Sequence, residues 1–259
     1  MSNPATVHAS APKLNLAMLG YGKMGRTIAQ LAPERGFEVR LVIDIDANAS
    51  GAGGLPRSIE VTREKFKCID VCIEFTEPKA VLENIRRVAA TGCNLVVGTT
   101  GWHNQLDEVR KVVESSGVGM VYAANFSIGV QLFYRLARQA AEAFAAFPIY
   151  DPYLTESHHK FKKDAPSGTA LEIKRQVQPA FKDREVPVSS TRAGYIPGTH
   201  ELGFDSEADT VVLRHTARSR RGFAEGALYA ARWVAGKKGL FNFADIVSHG
   251  DTEAQSKGL

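Results

Sequence analysis

Short apolar runs alternate with amphipathic stretches along the first half of the chain, and this alternation restricts the fold more than any other feature. Apolar residues at helical spacing predict helices, and the short apolar runs between them predict strands. Strands separated by helices are parallel and joined by crossovers, so the pattern predicts an α/β fold with a Rossmann-like, doubly wound parallel sheet. The predicted strands are Leu14–Gly20, Phe37–Ile45, Cys68–Phe75, Leu95–Val97 and Val118–Tyr122, and the predicted helices are Lys23–Arg35, 78–91 and Asn104–Ser115.

The pattern changes in the second half, where strand-like segments cluster with little helix between them. The predicted strands are Ile149–His158, Val186–Arg192, His200–Phe204 and Thr210–Ala217, and the predicted helices are Ile128–Phe147, Ala170–Phe181 and Phe223–Val234. This clustering predicts a second, α+β domain with an antiparallel or mixed sheet. We therefore expect one domain of residues 13–126 plus 222–259, a second of residues 127–221, and a frayed tail of residues 1–12.

Composition excludes several classes of protein. A chain of 259 residues corresponds to between one and two domains, and 44% apolar with 23% charged residues is ordinary globular composition. The net charge of +4 is too small to indicate a nucleic-acid partner, although it suits a small anionic substrate. Three cysteines cannot form a disulfide framework and fit a reducing compartment. No segment resembles a membrane span or a signal peptide, so we expect a cytoplasmic protein.

A glycine-rich motif, Gly20-Tyr21-Gly22-Lys23-Met24-Gly25, follows the first predicted strand and opens the first predicted helix. In a G-x-G-x-x-G loop the first glycine permits a tight turn, the second lets the backbone approach a pyrophosphate, and the third lets helix and strand pack closely. Asp44 ends the second predicted strand, where a carboxylate accepts hydrogen bonds from the adenosine ribose. The context favours a dinucleotide site; the alternative is a glycine turn without a ligand.

Three further loops follow predicted strands of the same sheet. In open α/β sheets, ligands bind outside the carboxyl ends of the strands, so we expect these loops to border the nicotinamide ribose and ring. Taken singly, each is equally well explained as an ordinary turn. The residues concerned are Phe75, Thr76, Gly98, Thr99, Thr100, Ala123, Ala124, Asn125 and Phe126.

A basic segment stands just before the helix predicted from Ala170. It contains His158, His159, Lys160, Lys162 and Lys163. Adjacent histidines on a strand point to opposite faces, and no third ligand stands at zinc spacing, so we expect no metal site. A histidine can deliver a proton at neutral pH, and lysines attract an anion. The segment Pro166-Ser167-Gly168-Thr169 caps the helix that follows, and its N–H groups could hold a carboxylate. From the residues alone, a solvated loop followed by a helix cap explains the segment at least as well.

The segment from Glu156 to Ala170 resembles the signature of the 4-hydroxy-tetrahydrodipicolinate reductases, formerly called dihydrodipicolinate reductases. That signature reads E-x-H-H-x-x-K-x-D-A-P-S-G-T-A, and the chain matches every fixed position. Other motifs resemble the family in the same order and extend over nearly the whole chain after Lys13. They are the phosphate loop, F-T-x-P at 75–78, G-T-T-G at 98–101, A-A-N-F-S at 123–127, R-A-G at 192–194 and the segment 223–233.

The resemblance implies NAD(P)H-dependent reduction of 4-hydroxy-2,3,4,5-tetrahydrodipicolinate to 2,3,4,5-tetrahydrodipicolinate, in diaminopimelate and lysine biosynthesis. It implies that the first domain binds the dinucleotide, and that the second binds the dicarboxylate substrate and builds a homotetramer through its sheet. By position, His158 is the implied catalytic acid/base, and Lys162 donates a proton or holds a substrate carboxylate. The implied substrate-binding residues are His159, Ser167, Gly168 and Thr169.

Some positions depart from the family pattern. Lys23 stands where the family commonly has arginine, Phe161 stands where it often has histidine, and Ile45 follows Asp44 where some members have arginine. A carboxylate at Asp44 repels the 2′-phosphate of NADPH, and Ile45 cannot offset that repulsion. We therefore expect preference for NADH or use of both cofactors, unless Lys23, Arg26 or Arg57 meets the phosphate.

Two rival functions remain at this stage. Another Rossmann oxidoreductase acting on an amino or keto acid would explain the phosphate loop and Asp44, but not the D-A-P-S-G-T run. A non-catalytic nucleotide-sensing protein would keep the glycines, but would have no reason to keep both His158 and Lys162 at this spacing.

Overall fold

The structure is a computed structural model that describes residues 12–45 and 54–249. The predicted tail lies outside the described residues except for Pro12, as do residues 250–259 and the first part of the Gly51–Pro56 loop. The chain folds as two compact units. Residues before Asn125 together with those after Gly226 form one unit, and Asn125–Gly226 form the other.

Strands and helices alternate in the part of the first unit that precedes residue 125, except that β3 follows β2 with no helix among the described residues between them. In chain order these elements are β1 (Leu14–Leu19), α1 (Lys23–Leu31), β2 (Phe37–Ile43), β3 (Arg57–Ser58), α2 (Arg63–Phe66), β4 (Val71–Glu74), α3 (Val81–Ala89), β5 (Asn94–Val97), α4 (Leu106–Ser116) and β6 (Gly119–Tyr122). In α3, Val81, Ile85 and Val88 recur at helical spacing, are fully buried, and pack in the core under the sheet.

The second unit and the C-terminal segment follow. Their elements are α5 (Ile128–Ala145), β7 (Asp151–His158), α6 (Gly168–Phe181), β8 (Val188–Arg192), β9 (Thr199–Asp205), β10 (Thr210–Thr216), α7 (Arg221–Val234), β11 (Gly239–Asn242) and α8 (Phe243–His249). Thus α7 begins in the second unit and ends in the first.

The first unit contains a seven-stranded sheet in the order β11-β6-β5-β4-β1-β2-β3, and all its pairings are parallel. The chain leaves β1 toward β2 on one side and returns to β4 on the other, so the strand order reverses between β1 and β4. The prediction of a Rossmann-like, doubly wound sheet is confirmed. A reversal point of this kind opens a crevice at the carboxyl ends of the two strands, where ligands bind.

Several predicted element boundaries are wrong, and proline accounts for the clearest case. The first helix ends at Leu31, and Ala32–Arg35 form a 3₁₀ turn, because Pro33 has no N–H to continue the α-helical pattern. The second predicted helix starts at Val81 rather than at Pro78. Four short elements were not predicted because each has too few residues for a periodic signal; they are β3, α2, β11 and α8.

The second unit holds a four-stranded sheet in the order β10-β9-β7-β8. The sheet is mixed, which is one of the two types that the sequence predicted. The β7–β8 pair is parallel, and β9 runs antiparallel to both β7 and β10. Along β7 every second residue is buried, from Pro152 to His158. Leu154 of this row packs with Leu202 and with residues of α5 and α6 in an apolar core. The same row ends in Glu156 and His158, so a polar cluster continues the core at the carboxyl end of β7.

No helix within the described ranges is long and apolar enough to cross a bilayer.

A buried asparagine joins the C-terminal segment to the first sheet. Asn94, at the start of β5, accepts a hydrogen bond from Gly119 N at 2.8 Å through Oδ1 and donates to Val234 O at 2.7 Å through Nδ2. We expect Asn94→Ala to lower the free energy of unfolding by about 1–3 kcal/mol for each buried backbone group left unpaired. Urea unfolding measures this change. The exposed Asn104→Ala is the control, with an expected change within about 0.5 kcal/mol; equal losses would contradict the role of Asn94.

Candidate active site

The three glycines of the phosphate loop meet different surroundings. A Cβ on Gly20, where φ is +89°, would collide with the carbonyl oxygen of Phe75, and a Cβ on Gly25 would collide with the carbonyl oxygen of Gly20. A Cβ on Gly22 would have no atom within 4 Å. Gly20 and Gly25 are therefore required by packing, whereas the space beside Gly22 is open. A cradle of this shape at the start of α1 fits a dinucleotide pyrophosphate.

Asp44 lies beside this loop. It directly follows β2, and its Oδ2 accepts a hydrogen bond from Tyr21 N at 2.6 Å. Asp44 N donates to Ser58 O at 3.2 Å, which ties the end of β2 to β3. A carboxylate held at the phosphate loop, at the end of the second strand, is in the place where ribose hydroxyls are bound in Rossmann sheets.

A buried carboxylate links the loops that follow β4 and β5. Glu74 is fully buried and accepts hydrogen bonds from Thr76 N at 3.2 Å and from the Thr76 hydroxyl. Thr76 N also donates to Thr99 Oγ1 at 2.8 Å. Burial raises the pKa of Glu74, and hydrogen bonds from Thr76, Thr99 and Asn84 oppose the rise. The structure therefore brings the F-T-x-P and G-T-T-G loops together at one edge of the sheet.

The residues predicted to bind the cofactor differ in exposure. Gly22, Lys23, Thr100 and Ala124 are exposed; Met24, Asp44, Phe75, Thr76, Gly98 and Asn125 are half-buried; Gly20, Tyr21, Gly25, Thr99, Ala123 and Phe126 are buried. Asn125 and Phe126 belong to the second unit. Asn125 Oδ1 accepts from Ser127 N at 2.8 Å, next to the start of α5. The Asn125 side chain therefore caps the turn that precedes α5 in the second unit.

The strand register of the second unit gathers a polar cluster at the carboxyl end of β7. Glu156 lies opposite His200 of β9, and His158 lies beside Arg192 of β8. Glu156 is 1% exposed, and His158 is 9% exposed. The rings of His158 and His200 meet edge to face, with centroids 5.2 Å apart. Residues from three strands thus form one polar cluster.

Glu156 is hydrogen-bonded on every side. Arg192 donates to both of its oxygens, from Nη2 to Oε1 at 2.6 Å and from Nη1 to Oε2 at 2.9 Å. Ser167 N donates to Oε1 at 3.2 Å, and His158 Nδ1 lies in hydrogen-bond contact with Oε2. Burial raises the pKa of Glu156, but the hydrogen bonds of Arg192, Ser190 and His158 outweigh it and lower the pKa to about 2. The carboxylate is therefore ionised at neutral pH.

The two histidines of the cluster are held mainly in their neutral forms. Burial lowers the pKa of His158, while the hydrogen bond to Glu156 opposes the decrease. Burial, together with the neighbouring His158, lowers the pKa of His200 to about 4. His200 Nε2 lies 3.1 Å from Ser167 Oγ. Of the two histidines, His158 is the one in hydrogen-bond contact with the Glu156 carboxylate.

The lysines after β7 differ from one another. Lys162 Nζ donates to both oxygens of Asp164, at 2.8 and 2.9 Å, and is half-buried, whereas Lys163 is exposed. His159 is half-buried, with its Nδ1 buried and without a hydrogen-bond partner within the described part of the chain. β7 ends at His158, so His159 already belongs to the following turn.

Helix α6 begins beside the cluster. Its N-cap is Ser167, whose Oγ accepts from Ala170 N at 3.2 Å, as the sequence predicted for a helix cap. Gly168 is exposed, and a Cβ there would meet no atom within 4 Å. Thr169 Oγ1 lies 3.5 Å from Asn125 Nδ2. The first N–H groups of a helix lack intrahelical partners, so this end of α6 can bind a carboxylate.

Ligand atoms of Glu156, His158 and His200 all lie within 4.8 Å of one another, a spacing that a metal ion could bridge. The sequence alone did not indicate this group, because His200 is joined to it only by strand pairing. Arg192 donates to both carboxylate oxygens of Glu156, and its positive charge opposes a divalent cation at the same place. We therefore interpret this group of residues as a hydrogen-bonded network.

Sequence reasoning assigned no role to Glu156, Arg192 or His200. Glu156 stands two residues before His158, so strand alternation alone places both on one face. That signal was available in the sequence. The positions of Arg192 and His200 depend on strand register, which no motif reveals.

Comparison with known proteins identifies the relatives of the chain. The family model for the N-terminus of dihydrodipicolinate reductase matches residues 14–126, and the model for its C-terminus matches residues 129–247. The chain is 32% identical over 247 residues to the 4-hydroxy-tetrahydrodipicolinate reductase of Christiangramia forsetii, covering 91% of this chain and 98% of the relative. It is 35% identical to the enzyme of the same name from Methanoculleus marisnigri, covering 87% and 95% of the two chains.

Solved structures share the fold. A dipicolinate-bound dihydrodipicolinate reductase from Paenisporosarcina sp. TG-14 superimposes with a TM-score of 0.78 at 24% identity, covering 90% of this chain and 99% of that one. An amine dehydrogenase from Mycobacterium smegmatis superimposes with a TM-score of 0.63 at 11% identity, covering 92% and 97%.

The different surroundings of the loop glycines generate a test. We expect Gly22→Ala to leave the melting temperature unchanged, because its Cβ enters open space, and to weaken NADH binding, because the methyl group occupies the approach of the pyrophosphate. We expect Gly25→Ala to lower the melting temperature, because its Cβ collides with the Gly20 backbone. Thermal unfolding and fluorescence titration with NADH measure both. Unchanged NADH binding by a folded Gly22→Ala protein would exclude this loop as the phosphate site.

Proposed function

The chain belongs to the dihydrodipicolinate reductase family, and we propose a residue-level account of how it performs that family's reaction. It is an NAD(P)H-dependent oxidoreductase that reduces 4-hydroxy-2,3,4,5-tetrahydrodipicolinate to 2,3,4,5-tetrahydrodipicolinate in diaminopimelate and lysine biosynthesis. The match of both family models supports this function directly.

The phosphate loop and Asp44 are the residues we propose to hold the dinucleotide. The open space beside Gly22 and the N-terminus of α1 suit the pyrophosphate, and the Asp44 carboxylate suits the ribose hydroxyls. We further propose that the joined loops at Thr76 and Thr99 border the nicotinamide half. The bound NADH or NADPH supplies the hydride of the reaction.

His158 is the proposed catalytic acid. Loss of water from the 4-hydroxy substrate gives a conjugated C=C–C=N system. Addition of hydride to that system places negative charge on the substrate, and a proton must meet it. In the described part of the chain no hydrogen bond engages His158 Nε2, while Nδ1 is held by Glu156. Nε2 is therefore the atom available for proton transfer. A positioned acid of this kind contributes about 10²–10⁴ in rate.

Lys162 and the start of α6 are the proposed binding groups for the two substrate carboxylates. Lys162 offers a positive charge. Its Nζ is ion-paired with Asp164 in the segment that follows β7. Gly168 and Thr169 offer backbone N–H groups at a helix N-terminus, with Ser167 beside them. His159, whose Nδ1 has no hydrogen-bond partner in the described ranges, is the proposed third contact. The dipicolinate carried by the solved family member is a dicarboxylate, which supports this assignment.

No observation favours the rival functions. An amine dehydrogenase shares the fold at 11% identity, which is evidence for the fold alone. A nucleotide sensor would not require the Glu156, His158 and Arg192 network in the second unit.

We also propose a cytoplasmic homotetramer built through the sheet of the second unit. Helices α5 and α6 pack in the core on one face of this sheet, and Val211 and Val212 of β10 are 40% and 45% exposed in the single chain. Exposed apolar side chains on an outer strand favour association. Free thiols at Cys68, Cys72 and Cys93 suit a reducing compartment. Light scattering after gel filtration measures the assembly.

Substitutions at three basic residues test the proposed chemistry. We expect His158→Gln to lower kcat by about 10²–10⁴, with little change in NADH affinity, because its role lies in the transition state. We expect Lys162→Ala to lower kcat and raise KM, because it removes a charge that binds a dianion. The measurement is a coupled assay that generates the substrate in situ and follows the absorbance of the reduced cofactor.

The matched control is Lys163→Ala, which removes the same charge from an exposed neighbour. We expect it to be mild. Equal damage at Lys162 and Lys163 would show that the residue assignments in this segment are displaced.

Cofactor preference is tested separately. We expect NADH to bind at least as tightly as NADPH, because a charge on the 2′-phosphate at ~4 Å from Asp44 costs about 4 kcal/mol at an effective dielectric of ~20 before screening. Fluorescence titration with each cofactor measures the two Kd values. NADPH binding tighter by about ten-fold, or about 1.4 kcal/mol, would refute this preference. Arg57→Ala would then tell whether Arg57, in the strand beside β2, meets the phosphate.

A further inference from the structure

We propose that Glu156 is a positioning residue for the reaction: it fixes the tautomer and orientation of His158 and aligns that ring with the start of α6. This inference rests on the catalytic role proposed above for His158. Glu156 contacts the histidine, Arg192 and Ser167 N at once, and above it entered only as the group in contact with His158 Nδ1.

Hydrogen-bond donors surround the Glu156 carboxylate. Oε1 accepts from Arg192 Nη2 and from Ser167 N, and Oε2 accepts from Arg192 Nη1. An ionised carboxylate can only accept hydrogen bonds. His158 Nδ1, in contact with Oε2, must therefore carry a hydrogen and donate it. This leaves Nε2 as the atom that exchanges a proton with the substrate.

A glycine lies beside His158 Nε2. Gly198 precedes β9 with φ at +123°, and a Cβ built there would lie 3.1 Å from His158 Nε2. Its lack of a side chain keeps the reactive side of the ring clear. The ring is thus held at Nδ1 by a carboxylate and left unobstructed at Nε2.

Both positive and negative side chains lie around the His158 ring. The groups that face His158 are Glu156 on its own strand, Arg192 on β8, His200 on β9, and Lys162 in the following turn. Lys162 is ion-paired with Asp164. Lys162 and Arg192 are positive and disfavour an imidazolium. Glu156 is the negative group that touches the ring and favours it.

Glu156 also links His158 to the start of α6. The same carboxylate that holds His158 accepts a hydrogen bond from Ser167 N, the residue that caps α6. The proposed acid and the proposed carboxylate site of α6 are therefore fixed relative to each other by one buried side chain.

Glu156→Gln separates these roles. If the amide oxygen keeps the place of Oε1, it still accepts from Arg192 Nη2 and from Ser167 N, so the start of α6 is retained. The amide nitrogen then takes the place of Oε2, no longer accepts from Arg192 Nη1, and donates to His158 Nδ1. His158 must accept at Nδ1 and carry its hydrogen on Nε2, so the tautomer is reversed.

Nuclear magnetic resonance of the ¹⁵N-histidine-labelled protein provides the first test. The His158 signal is assigned by its loss in His158→Gln. We expect the neutral wild-type ring to carry its hydrogen on Nδ1 and the Glu156→Gln ring to carry it on Nε2. We also expect the titration midpoint of His158 to fall by about one pH unit or more, because the neighbouring negative charge is gone.

Kinetics provide the second test. We expect Glu156→Gln to lower kcat by about ten-fold or more while KM changes by less than about three-fold, since an acceptor for Ser167 N remains. We expect the high-pH decline of the kcat profile to move to lower pH with the midpoint of His158. The control is Glu172→Gln on α6, which removes an ion pair with Arg175 and should change neither kcat nor the profile.

The outcomes separate this proposal from the one on which it depends. Full activity of His158→Gln would refute the catalytic role of His158. An inactive His158→Gln protein beside a Glu156→Gln protein with normal kcat and pH profile would refute the positioning role alone. A wild-type ring with its hydrogen on Nε2 would also refute it, and that result does not depend on the Glu156→Gln protein being folded.

Discussion

The second unit depends on one buried carboxylate whose charge must be satisfied inside the protein. Burying an ionised group is costly unless it is paired and hydrogen-bonded, and Glu156 meets that condition through Arg192, Ser167 N and His158. These partners come from β8, from the start of α6 and from its own strand. Because the requirement cannot be met by any single element, it links strand register, helix position and ring orientation.

A related constraint operates in the first unit. The sheet reverses its strand order between β1 and β4, and the loops that leave these strands meet there. Glu74 and Thr99 join the loops after β4 and β5 through Thr76. Gly20 must lack a side chain because the Phe75 carbonyl stands against it. Both units therefore place buried acids beside loops or helix ends that carry the proposed functional groups.

The neighbours of His158 show why the second unit requires tertiary contacts for its chemistry. The ring sits among two positive side chains and a neutral histidine, and burial lowers its pKa. A histidine in such surroundings gives up its proton readily, which suits an acid that must act and then be recharged. The negative charge of Glu156 opposes this loss of the proton, and the absence of a side chain at Gly198 keeps the ring accessible.

The sequence by itself determined the alternation that makes the first sheet parallel, the phosphate loop with Asp44, and the pairing of His158 with Lys162 in a family signature. These features are local, because they depend on residue periodicity and on spacing within short segments. Boundaries were less predictable where Pro33 ended a helix early and where β3 and β11 had too few residues to show a period. Strand pairing alone decided that His200 lies opposite Glu156 and Arg192 beside His158. Pairing joins residues through register across the sheet, and register is set by packing of the whole unit rather than by any neighbouring sequence.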